Sequence, residues 1–207
     1  MTSFARAERL ALADTLLAAG PDAPTLCAGW ATRDLAAHLV LRERRPDAAA
    51  GILVKPLQNH TKKVQDRLAA GDYADLVGRV RTPALWVSPG FAEEAVNITE
   101  FLIHHEDVRR AVPQWTSRTL DTKYEQALAG RLKGAAKLAA RKFPAAVTVA
   151  PGNATPFTVG KGGEALRVQG KPSELLLFFT GRQTHADVTV TGPDALAERL
   201  RNASLGL

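Results

Sequence analysis

The hydrophobic period changes once along this chain of 207 residues, and the change limits the folds open to it. Up to residue 142 apolar side chains recur at helical spacing, whereas from Phe143-Pro144 onward they alternate in short runs broken by turn residues. The patterning predicts an α+β protein with a helical bundle over residues 1–142 and a small α+β domain over 143–207. Phe4, Leu10, Leu12, Leu16 and Leu17 predict a helix over 3–19, stopped by Gly20-Pro21. Thr32 is the expected N-cap of a second helix running to about Arg45, with Asp34 in its first turn, where the macrodipole favours an anion. Leu57, Val64 and Leu68 predict a third helix closed by Gly71, and Tyr73, Leu76, Val77 and Val80 a short fourth. Residues 83–90 read as loop, a longer helix spans about 91–112, and a further one holds Tyr124, Leu128, Leu132 and Leu138. Beyond Pro144, the runs 147–149, 157–159 and 166–168 read as strands separated by turns at 151–153 and 161–163. Ser173 is the expected cap of an apolar helix over 175–180 ended by Gly181. A fourth strand at 188–190 and a last helix opened by Gly192-Pro193 complete the order βββαβα.

The helix over 91–112 is unusual. Glu93, Asn97, Glu100, His104 and Asp107 follow one another at spacings of four, three, four and three, while Val96, Ile98, Phe101, Leu102, Ile103 and Val108 take the other faces. Apolar residues on several faces imply that most of the cylinder is buried, polar stripe included. Buried charges need partners. A metal ion is one, and a hydrogen-bonded network between helices is the other.

Two acidic-to-histidine pairs bear on that choice: Asp34 with His38, and Glu100 with His104. Residues four apart share a helix face, so two such helices side by side can aim two imidazoles and a carboxylate at one point. That is the ligand set of an open catalytic metal, with positions left for water or substrate. An acidic residue four before a histidine arises by chance about once in a chain with five histidines and 21 acidic residues, so the conjunction carries the argument. His38 lies among Leu35, Leu39 and Leu41 and faces inward, where a core histidine satisfied by a carboxylate is the alternative. His105, about a hundred degrees round the helix from His104, reads as structural or surface-facing. His60 and His185 lie in polar surroundings. Trp30 packs the entry to the second helix or walls a pocket, and Cys27 reads as an inert small hydrophobe.

Other classes lose support. The sequence contains no Gly-rich phosphate loop, nucleophile elbow or zinc-protease His-Glu-x-x-His. One cysteine excludes an intrachain disulfide and a thiolate-rich zinc finger. With no apolar run near the roughly 18 residues that cross a bilayer and no secretion-signal pattern at the start, the chain is expected to be cytoplasmic. Net charge is +6 with 27 basic residues, but Arg42, Arg44 and Arg45, then Lys62 and Lys63, then Arg109 and Arg110 are interleaved with acids. They read as solvated helix faces, with a small anionic substrate preferred over nucleic acid.

Two segments carry a family likeness. The run from Leu26-Cys-Ala-Gly-Trp30 through Asp34 to His38-Leu-Val, together with Glu100-Phe-Leu-Ile-His104-His-Glu-Asp107-Val, resembles the mycothiol-dependent maleylpyruvate isomerase family. That family belongs to the wider DinB-like metal-binding four-helix proteins of actinobacteria. Glu174 to Gly181-Arg182 resembles the family's C-terminal, sterol-carrier-like domain. Carried over by motif position, the resemblance puts the metal ligands at His38, Glu100 and His104. It implies a divalent metal, usually zinc, the thiol cofactor mycothiol and a small anionic electrophile as substrate. The implied chemistry is thiolate addition to the cis double bond of maleylpyruvate, rotation about the new single bond, and departure of the thiolate. Arg182 is the implied cation for the developing oxyanion, its plainer role being a helix C-terminal charge. The doubled His104-His105 and the run Glu106-Asp107-Val-Arg109-Arg110 depart from the family pattern and point to a separate branch. Asn97 and Asp107 are either orienting partners of the ligands or interhelical ties.

Overall fold

The computed structural model describes residues 3–87, 90–152, 154–163 and 165–205. Asn153 in the predicted turn, and Ser88 and Pro89 in the predicted loop, lie outside them. The helices are α1 (Phe4–Ala19), α2 (Thr32–Arg44), α3 (Pro46–Ala49), α4 (Gln58–Ala69), α5 (Tyr73–Arg81), α6 (Gly90–Arg109), α7 (Thr122–Ala139), α8 (Pro172–Phe179) and α9 (Asp194–Arg201). The strands are β1 (Ala146–Pro151), β2 (Phe157–Val159), β3 (Ala165–Gly170) and β4 (Val188–Thr191). Short 3-10 turns at Ala50–Ile52, Lys55–Leu57, Leu85–Val87, Ala140–Lys142 and Gln183–His185 join them. The architecture is α+β, and the segment order after residue 143 is βββαβα as the periodicity predicts.

The chain divides into two compact units, Met1–Trp115 and Thr116–Leu207. The boundary expected at 142/143 therefore falls inside the second unit, because α7 packs along α8. Glu125 on α7 accepts hydrogen bonds from the Ser173 amide, at 3.0 Å, and hydroxyl, at 2.7 Å. This also corrects the cap: Lys171 caps α8, and Ser173 lies inside the first turn, tied to α7. Composition marks where strands begin; it does not mark which side of that point a helix packs on.

In the first unit α1 lies along α6 and α5, while α2 packs on α4 and α5. Leu12, Leu16, Leu35, Leu39, Leu76, Val77, Val80 and Phe101 form one buried cluster. Each contributes about 1.5–3 kcal/mol by leaving water. Ala31, not Thr32, caps α2: the Asp34 carboxylate accepts from the Ala31 amide at 2.9 Å, and the Thr32 hydroxyl donates to the Gly20 carbonyl. An acidic residue at the third helical position does the work assigned by sequence to a threonine side chain.

In the second unit the strands lie in the order β2-β1-β3-β4. β1 pairs antiparallel with β2 and parallel with β3, setting Val147 opposite Leu166 and Val149 opposite Val168, and β3 pairs antiparallel with β4. These side chains are buried, as is α8 along its whole length, which explains why that helix is apolar on every face. Gly160 follows β2 at φ 78°, and a Cβ there would meet the Ala145 carbonyl oxygen at 2.5 Å. On α7 the buried face is Tyr124, Leu128, Leu132 and Ala136, strictly every fourth residue, which leaves Leu138 exposed.

Candidate metal centre

Helix α2 presents His38 and, one turn on, Arg42, and α6 turns its stripe of Glu93, Asn97, Glu100, His104 and Asp107 inward among apolar neighbours. The pairing of those two surfaces sets His38 Nε2 3.5 Å from Glu100 Oε1, and His104 Nε2 3.3 Å from the same oxygen. One ligand atom from each of the three residues lies within 4.8 Å of the other two. The two imidazoles meet edge to face with centroids 5.3 Å apart, and the Trp30 ring stands 5.1 Å from His38 as a wall. Ligand atoms bound to zinc at about 2.0–2.1 Å in a tetrahedron lie roughly 3.3 Å from one another. The spacing and the N, N, O donor set therefore fit a divalent cation of zinc's kind.

Two of the three side chains are held by neighbours outside the triad. His104 Nδ1 lies 2.9 Å from Asp107 Oδ2, which leaves Nε2 as the nitrogen facing Glu100. The Cys27 thiol donates to the same Asp107 oxygen at 3.2 Å, with Sγ 4.0 Å from His104 Nδ1. Cys27, His104 and Asp107 form a second close group of potential ligands. Leu26 donates its amide to the Asp107 carbonyl at 3.0 Å and fastens this loop to α6. Cys27 is thus a hydrogen-bonding partner of the cluster, not the inert hydrophobe expected from sequence. Arg42, one turn beyond His38, brings Nε to 3.2 Å from Glu100 Oε1.

These contacts move the protonation equilibria in opposite directions. Burial lowers the affinity of His38 for a proton, aided by repulsion from His104 and Arg42, and outweighs the hydrogen bond to Glu100 that would raise it. Burial acts the same way on His104, but hydrogen bonds to Asp107, Cys27 and Glu100 overcome it and hold that ring well above 6.5. For Glu100, burial alone would raise the value; His104, His38 and Arg42 pull it well below the usual carboxylate range. Without a cation, the cluster is an imidazolium next to a carboxylate, with a neutral imidazole beside them.

The other candidates are placed differently. Asp34 is the α2 capping side chain and does not join His38. His105 is buried and structural, between Glu8 Oε1 at 2.6 Å and Thr15 Oγ1 at 2.8 Å. His60 lies against Asp47 at 3.3 Å on the surface. Asn97 accepts from Arg42 at 2.6 Å and donates to Glu43 at 3.1 Å, so it is an interhelical tie that also holds Arg42. Arg182 donates to the Thr180 carbonyl at the end of α8, at 2.6 Å, the plainer role expected of it. Sequence reasoning missed Arg42 by reading it with Arg44 and Arg45 as solvated; its position four after His38 was the available signal.

No protein-family model and no curated protein matches the sequence. Among solved structures, a crystal structure of the mycothiol-dependent maleylpyruvate isomerase superposes with TM-score 0.54 at 16% identity, covering 92% of this chain and 96% of that one. The chain shares that fold. A mutant of the same enzyme, covering the same shares, gives TM-score 0.47 at 14% identity. Among the described residues no helix is long and apolar enough to cross a membrane.

Proposed function

We propose that this protein binds a divalent metal, most simply zinc, through His38, Glu100 and His104, and uses it as a mycothiol-dependent isomerase or S-transferase on a small anionic electrophile of the maleylpyruvate kind. The convergence of two imidazole nitrogens on one carboxylate oxygen, at 3.5 and 3.3 Å, carries this reading. The shared fold supports it, the solved relative being a mycothiol-dependent isomerase. In this reading the first unit is a DinB-like bundle and the sheet unit its sterol-carrier-like companion. The single cysteine suits a reducing, cytoplasmic setting.

A cation bound there would stabilise the deprotonated form of a thiol and so supply a nucleophile near neutral pH. The chain's own groups do the rest. Asp107 fixes the His104 ring with Nε2 toward Glu100 and accepts the proton on Nδ1 as a hydrogen bond. Arg42 holds Glu100 in place, and the Trp30 ring packs beside His38.

Elemental analysis of the purified protein beside His38→Ala, Glu100→Ala and His104→Ala tests the ligand set. About one metal per wild-type chain, lost in each variant, is expected; metal retained in all three would place the ligands elsewhere. Turnover of a cis-unsaturated oxo acid with and without a low-molecular-weight thiol tests the chemistry. Metal binding with no thiol-dependent turnover would leave a DinB-like metal- or ligand-binding protein without mycothiol chemistry.

A further inference from the structure

Arg42 is held by three of its nitrogens. Nε faces Glu100 Oε1 at 3.2 Å, one terminal nitrogen donates to Asn97 Oδ1 at 2.6 Å, and the other to the Val96 carbonyl at 3.1 Å. A guanidinium carries five N–H groups, so one on each terminal nitrogen remains for another acceptor. The plane is fixed from three sides, and what it still offers is a preset pair of donors.

The direction of that offer follows from exposure. The Arg42 and Glu100 side chains are 23% and 25% exposed, against 10% for His38 and 11% for His104. Arg42 and Glu100 are thus the more solvent-facing members of the cluster, and a ligand from solvent can reach the guanidinium. Charge points the same way. A divalent cation among neutral imidazoles is balanced by Glu100 and Asp107, and Arg42 then leaves one positive charge over. That surplus favours anionic over neutral ligands at the centre, and a guanidinium suits a carboxylate better than a point charge would.

The geometry points to Arg42 as a specificity-determining residue that takes a carboxylate of the substrate at the mouth of the metal centre. The inference rests on the metal reading proposed above and adds the residue that selects for anionic substrates. A purely structural Arg42, tying α2 to α6 through Asn97 and Val96, would not distinguish anionic from neutral ligands.

The test is spectroscopic. Wild type, Arg42→Met and Arg42→Lys, each loaded at saturating cobalt, are titrated with maleate and, separately, with imidazole, following the visible cobalt bands. The expected result is maleate affinity weakened about tenfold or more in Arg42→Met and less in Arg42→Lys. Affinity for neutral imidazole should change by less than about twofold. Should Arg42→Met fail to fold or to load, Arg42→Lys still decides, since it keeps the charge and loses the fork. Unchanged maleate binding in a cobalt-loaded variant would overturn this inference alone, as would equal weakening for maleate and imidazole. A wild type that takes up no cobalt would overturn the metal reading and this inference with it.

Discussion

Glu93 and Glu100 lie two turns apart on the same face of α6, yet the first meets guanidinium groups and the second meets two imidazoles beside a guanidinium. Arg9, 1% exposed, pairs with Glu93 and Glu43 and donates to the Val80 carbonyl at 2.8 Å, and Glu43 also accepts from the Ala84 amide at 3.1 Å. That end of the stripe has its cation built in. At the other end Glu100 faces His38 and His104, whose shared point of approach matches the spacing of a metal polyhedron. One polar pattern thus serves two purposes. Where the partner helices supply permanent charge alone, buried carboxylates become a lock; where titratable nitrogens join it, they become a site for a cation from outside.

The largest expected effect falls on the locked end. Arg9→Met strands two buried carboxylates and should cost about 3–5 kcal/mol in urea denaturation, while the folded fraction keeps its metal. A loss below about 1 kcal/mol would mean that the two ends do not differ as described. Next, zinc at about a hundredfold excess over its Kd should stabilise the wild type by about 2.7 kcal/mol and leave His104→Ala unmoved. Equal stabilisation of both would show binding away from the stripe.

Asp107→Asn should weaken zinc binding by about ten- to a hundredfold in a chelator competition, because the ring it orients loses its carboxylate partner. Unaltered affinity would reduce Asp107 to a loop anchor.

The smallest effect is in pH. In the metal-free protein His104 is held above 6.5, so its charged form adds stability that is complete below 6.5 and is lost as pH rises through its folded value. A cation must displace that proton. Apparent zinc affinity should therefore go on climbing above pH 6.5, by up to about tenfold per unit, before levelling off. Glu100, held well below its usual range, stays charged throughout that window. A plateau already reached at 6.5 would detach His104 from the cation.

Much of the scaffold was legible. The helix over 4–19, the pair of helices on either side of Gly71, and the βββαβα order of segments after residue 143 follow from period and turn chemistry. Caps were less so: Ala31 and Lys171 hold the cap positions that propensity assigns to Thr32 and Ser173, while the Thr32 and Ser173 hydroxyls donate to the Gly20 carbonyl and to Glu125 instead. Arg9 was overlooked although it lies on the buried face of α1, between Ala5 and Ala13 at spacings of four.

The amino-acid order alone determined that α6 would bury a row of polar groups, because apolar residues occupy its remaining faces, and that His104 and Glu100 would share one of them. Which of those groups would meet Arg9, which His38, and which Arg42 was decided only when α1 and α2 packed against α6. Partners separated by 55 to 84 positions are chosen by the fit of whole helix surfaces, and no local rule of spacing carries that information.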